Sequence, residues 1–164
     1  MPALERLLLR IALIGDELKS LYDLRHLRRL DLSNCELNWE PKTRPGPAIW
    51  ASKIYTLEEL YLEDRVINEG DLAALSGLTR LRLLDLCGST TSPTEIAHLC
   101  SLPRLERLGL SPWMIDEAML EVLKRFPCLK LYPSPAATRS YILVKIASGR
   151  LGKSLSPRVP CNAP

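Results

Sequence analysis

The sequence predicts an α/β solenoid: a curved stack of about five strand–turn–helix units, with a parallel sheet on the concave side and short helices or 3₁₀ turns on the convex side. Three observations carry this expectation. Leucine supplies 34 of 164 residues, 31 of them before residue 133, while aromatic residues make up only 5%. Inside each unit the apolar spacing changes from two to three, which reads as a strand followed by a helical or 3₁₀ turn folding back over the same core. The compound pattern then recurs every 23 to 30 residues, the mark of a repeat architecture.

The first unit opens with Leu4, Leu7, Leu9 and Ile14 and returns through Leu18, Leu21 and Leu24. The second runs through Leu27, Leu30, Leu32, Cys35 and Leu37 and returns through Ala48, Ala51 and Ile54. It is the long unit, with about six extra positions in Asn38–Ile49, rich in Pro and Trp. The third has Leu57, Leu60, Leu62 and Ile67, then Leu72, Leu75 and Leu78. The fourth has Leu81, Leu84, Leu86 and Thr91, then Ile96, Leu99 and Leu102. The fifth has Leu105, Leu108, Leu110 and Ile115, then Leu120, Leu123 and Phe126, and the frame decays at Leu129 and Leu131. Residues 71–78 and 118–125 combine good helix formers with acids near their starts, which suit the helix dipole. Residues 1–132 are thus the expected solenoid, and residues 133–164 a basic, disordered tail.

The segment Leu27–Leu37 fits L-x-x-L-x-L-x-x-N/C-x-L at every specified position, and residues 4–132 as a whole resemble the leucine-rich repeat family. The helical backs and the joints Ile67–Leu72 and Ile115–Leu120 look closest to its cysteine-containing and ribonuclease-inhibitor-like subtypes. The Asn or Cys column departs from the family, reading Ala12, Cys35, Arg65, Ser89 and Trp113. Those turns need other hydrogen-bond partners for buried backbone.

Charge and composition exclude several function classes. The net charge of +3 divides into −2 for residues 1–132 and five basic groups without an acid in the tail. A mildly acidic body is a poor nucleic-acid binder. No apolar run approaches the length that spans a bilayer, and Glu5, Arg6 and Arg10 interrupt the apolar start that might pass for a leader. Five cysteines without a C-x-x-C pair, and two histidines, give no zinc spacing and point to a reducing, intracellular and cytoplasmic setting. G-x-S-x-G, G-x-x-x-x-G-K-[ST], G-x-G-x-x-G and H-E-x-x-H are all absent, and His26 and His98 fall on segments turned away from the concave face. The expectation is a non-enzyme without cofactor, metal or small-molecule substrate.

Alternate strand positions form three outward columns: Arg6/Arg29/Glu59/Leu83/Arg107, Leu8/Asp31/Tyr61/Asp85/Gly109 and Arg10/Ser33/Glu63/Cys87/Ser111. Arg29, Asp31, Glu59, Tyr61, Glu63, Asp85 and Arg107 therefore make the candidate partner-binding face, with Tyr61 as aromatic anchor. The alternative is a solvated face whose opposite charges only keep it soluble. Trp39 and Trp50 are candidate loop contacts or, alternatively, the centre of a small satellite core beneath the insertion. The expected function is a protein-interaction module. A substrate adaptor of a ubiquitin ligase and a structural subunit of a larger assembly stand as alternatives. The short lead before Leu4 leaves an uncapped first strand through which an oligomer or assembly could form.

Overall fold

A computed structural model of the chain describes residues 3–9, 20–33, 46–126 and 129–131, of which residues 130 and 131 are described by backbone alone. It is the α/β solenoid that the sequence predicts. Six strands pair in parallel in chain order: β1 (Arg6–Leu8), β2 (Arg29–Asp31), β3 (Glu59–Tyr61), β4 (Leu83–Asp85), β5 (Arg107–Gly109) and β6 (Lys130–Leu131). Between them run α1 (Pro47–Ala51), α2 (Asp71–Ala74), α3 (Pro93–His98) and α4 (Glu117–Leu123). Cys35, Trp39, most of the insertion and the tail with its Tyr141–Ile146 stretch lie outside the described residues.

The register follows the leucine frame, pairing Leu7, Leu30, Leu60, Leu84 and Leu108 across the sheet. The last step differs. Leu108 pairs with Leu131, 23 residues on, whereas the preceding leucines Leu105 and Leu129 are 24 apart. One residue has dropped out between the leucines, so the pattern tightens where it decays.

From Leu27 to Leu110 the strand leucines are essentially inaccessible, and with Ala48, Ala51, Ile54, Leu72, Leu75, Leu78, Ile96, Leu99 and Leu102 they form one continuous core. Each such leucine is worth roughly 1.5–3 kcal/mol relative to exposure. The first unit is only half covered, with Leu7 and Leu9 partly buried and Leu4 exposed. Period three in the helical halves has a local cause. α2 and α3 each pass directly into a 3₁₀ turn, Leu75–Gly77 and Leu99–Ser101. A 3₁₀ turn brings every third residue to the same side. α4 has no such continuation; its buried residues are Met119 and Leu123, four apart, with Phe126 buried three residues beyond. That is ordinary α periodicity, and Leu120, the expected inward residue, is only half-buried.

Where the column departs from Asn or Cys at residues 65 and 89, other side chains serve the buried backbone. Ser89, fully buried, accepts from the Arg65 backbone N–H at 2.9 Å and donates to the Leu62 carbonyl at 2.7 Å. Arg65 donates through its guanidinium to the Leu32 carbonyl at 3.0 Å. Trp113 sits exposed in the 3₁₀ turn Pro112–Met114.

The helices are capped across repeat boundaries. Glu95, in the first turn of α3, accepts from the backbone N–H groups of Gly70 and Leu72 at the start of α2, at 2.9 and 3.1 Å. Asp71, one repeat earlier, accepts from Gly46 at the start of α1 and from Asn68. Burial pushes the Asp71 carboxyl above its usual range, and the neighbouring Glu95 charge adds to this against the hydrogen bonds from Asn68 and Gly46. Twenty-four residues after Glu95 the position is Met119, so the ladder stops. α3 and α4 rely on their own N-caps: Ser92 accepts from Glu95 N–H and Asp116 from Met119 N–H.

Candidate functional site

The concave face is built by the residues flanking the inward leucines, and its first two columns follow the strand register: Arg6, Arg29, Glu59, Leu83, Arg107, and beside them Leu8, Asp31, Tyr61, Asp85, Gly109. Four of the predicted residues meet in one cluster. Glu59 Oε2 accepts from Tyr61 Oη at 3.1 Å and pairs with Arg29 Nη1 at 3.3 Å, while Oε1 pairs with Arg107 Nη2 at 3.4 Å. Arg29 also stacks its guanidinium 4.4 Å from the Tyr61 ring centroid, a cation–π contact. Arg107 reaches Glu59 across the register position of Leu83, which is only 2% exposed.

This arrangement sets the chemistry of Tyr61. Its hydroxyl is pushed up to about 12 by burial and by the Glu59 charge, with Arg29 and Arg107 opposing. It is therefore a hydrogen-bond donor at neutral pH, and 9% exposure leaves it largely beneath Arg29. The groups that reach solvent are Arg29, Glu59 and Arg107, whose side chains are about a third exposed.

The other predicted residues are placed differently. Asp31 and Asp85 each turn back to accept the N–H two residues on, from Ser33 and Cys87, both at 3.0 Å. These are Asx turns ending the strands. Asp31 is half-buried, whereas Asp85 is 1% exposed. Gly109 makes room for Asp85: a Cβ there would lie 2.8 Å from Asp85 Cγ and 3.2 Å from Cys87 Sγ. Gly109→Ala is expected to cost about 1–2 kcal/mol by overpacking, measured by urea unfolding. An unchanged midpoint would mean that Asp85 moves aside freely.

The third column is a seam between repeats, not a solvated row. Ser33 Oγ accepts from Glu63 N–H at 3.3 Å and Ser111 Oγ from Gly88 N–H at 2.7 Å. Cys87, expected as an outward thiol, is 1% exposed. Burial raises its thiol well above the ordinary range, with the Asp85 hydrogen bond and charge adding, so it is no nucleophile at neutral pH. Glu63 is half-buried at the rim of the face. Trp50 lies on α1, stacked on Tyr22 of the preceding unit with centroids 6.1 Å apart, and is half-buried. Trp39 lies outside the described residues.

Sequence reasoning missed a second charged row, one residue before each of β1 to β5. Glu5, Arg28, Glu58, Arg82 and Glu106 alternate in sign from unit to unit; Arg28 pairs with Glu58 at 3.2 Å and Arg82 with Glu106 at 3.1 Å. The signal was their recurrence at the unit spacing outside the outward columns. Among the described residues no group of three or more His, Cys, Asp or Glu is placed to hold a metal ion, and no helix is long and apolar enough to cross a membrane.

Stacked parallel strands of two or three residues, a continuous leucine core and short helices behind it make this fold a leucine-rich repeat solenoid. No protein-family model matches the chain. It is 36% identical over 92 residues, 56% of its length, to tubulin-specific chaperone E of Danio rerio, and that match spans 16% of the chaperone. An internalin (inlF) from Listeria monocytogenes, known from its crystal structure, superposes on 68% of the chain with a TM-score of 0.43 and 16% identity, covering 29% of the internalin.

Proposed function

We propose that this chain is a non-enzymatic protein-interaction module that binds a partner through its concave sheet face. The observation that carries the reading is the Arg29–Glu59–Arg107 cluster over Tyr61, a fixed array of opposite charges on a rigid parallel sheet. Its three charged groups already neutralise part of one another, so a partner pays little to organise them. Arg29, Asp31, Glu59, Glu63 and Arg107 are the contact groups in this reading, and Tyr61 and Asp85 support them from beneath. The local match to tubulin-specific chaperone E supports a protein partner. The free thiols of Cys87 and Cys100 suit a reducing, cytoplasmic compartment. The helices behind the sheet favour the cysteine-containing or ribonuclease-inhibitor-like subtype.

A second reading, subunit of a larger assembly, is favoured by Leu4 and Leu8, 46% and 53% exposed at the outermost described strand.

The test is affinity purification of the tagged chain from its own cells, wild type and two variants compared at equal folded concentration. Arg29→Glu combined with Arg107→Glu is expected to reduce recovery of a specific partner about tenfold or more, since Arg residues are common binding hot spots. Arg125→Glu, exposed behind the sheet after α4, should leave recovery unchanged. Loss of the partner with Arg125→Glu and retention with the concave pair would place the site on the convex side.

A further inference from the structure

We infer that the rim where the chain enters each strand is a second binding surface, built to take adjacent carboxylates of an acidic protein segment. A groove of about 550 Å³ opens there, lined by Arg28, Glu58, Thr79, Arg80, Pro103 and Arg104. Its charge is uneven by construction. Glu58 is already paired with Arg28, and Glu106, the other acid of this row, is held by Arg82 through three donor–acceptor contacts of 3.1 to 3.2 Å. Arg80 and Arg104 occupy the same place in successive repeats, one residue before Leu81 and Leu105, and both are exposed. Among the described residues neither has an acidic partner.

Two guanidiniums on neighbouring repeats are thus left with their planar forks unused, in a row whose acids are already engaged by Arg28 and Arg82. Guanidinium forks match carboxylates bidentately. Adjacent parallel strands lie about 4.8 Å apart, so one repeat step brings the two forks to neighbouring acidic side chains. A nucleic-acid backbone fits less well, because Glu58 is in the lining and Glu106 stands beside it. Arg28 and Glu58 also line a smaller groove with Arg6, Arg29 and Glu59, so the rim runs on to the concave face. The surface does not depend on the concave-face reading, because its residues are separate from the pair tested there.

The probe is a fluorescein-labelled hexaglutamate peptide, followed by anisotropy against the full chain, with hexaglutamine and a short oligothymidylate as comparisons. Expected is saturable binding of hexaglutamate alone, weakening as salt rises from roughly 50 to roughly 200 mM. Arg80→Ala with Arg104→Ala should weaken it about tenfold at an unchanged melting temperature, because both side chains are exposed. Arg125→Ala should change it less than about twofold. The proposal is overturned if the wild-type chain does not bind hexaglutamate at the lower salt, if the double variant binds as well as wild type, or if oligothymidylate binds at least as tightly.

Discussion

Leu84→Ala is expected to remove about 2–5 kcal/mol of folding stability. Leu84 is fully buried on β4, with Leu60 and Leu108 beside it in register. Repeats press on it from both sides, so neither neighbour can collapse into the space without breaking its own strand pairing. The cavity term therefore adds fully to the lost transfer energy. Urea denaturation read by circular dichroism measures it, and Leu7→Ala is the comparison: Leu7 is only partly buried at the outer strand and should cost clearly less. Equal costs at both positions would contradict a core that thickens toward the middle units.

Glu95→Ala should cost about 1.5–3 kcal/mol, although it deletes no apolar contact. The Leu72 N–H would be left in a buried setting without an acceptor, while water can reach the exposed Gly70. Glu95→Gln keeps one acceptor oxygen and should recover part of the loss. The variant also probes Asp71. A buried carboxyl whose folded pKa is raised binds its proton more tightly than in the unfolded chain, so it destabilises the fold as pH rises through the window above the unfolded value. Removing the Glu95 charge relieves part of that push. Stability of Glu95→Gln should therefore depend less steeply on pH just above the normal carboxylate range than that of wild type. An equal or steeper slope would show that Glu95 does not act on Asp71.

The leucine frame was readable because a stack with constant pitch demands the same side-chain size at the same place in every unit. The outward columns followed from alternation, and the first two reproduce the strand register. Alternation gives direction, not cover. It could not show that Arg29 folds over Tyr61, that Asp85 turns back on its own strand end, or that Cys87 is sealed in a seam between repeats. The first rests on a neighbour 32 residues away in sequence and the second on the N–H two residues on, and alternation reports neither. The acid at 71 was legible as a dipole partner for its own helix. That Asp71 also accepts from Gly46, and that Glu95 accepts from Gly70 and Leu72, both reaching into the preceding repeat, was not. At α4 the leucine at 120 matched the template, yet without a following 3₁₀ turn the helix rotates Met119 inward.

The cross-repeat caps give the array a direction. α1 is finished by Asp71 on α2, and α2 by Glu95 on α3, whereas α3 and α4 finish themselves with Ser92 and Asp116. The stack behaves like roof tiles, each holding down the edge of the one laid before it. Loss of a later repeat loosens its predecessor, but loss of an earlier one leaves the caps of its successors in place. Fraying should then travel more easily toward the N-terminal units than away from them, and the self-capped pair α3 and α4 is the natural anchor from which the rest is laid.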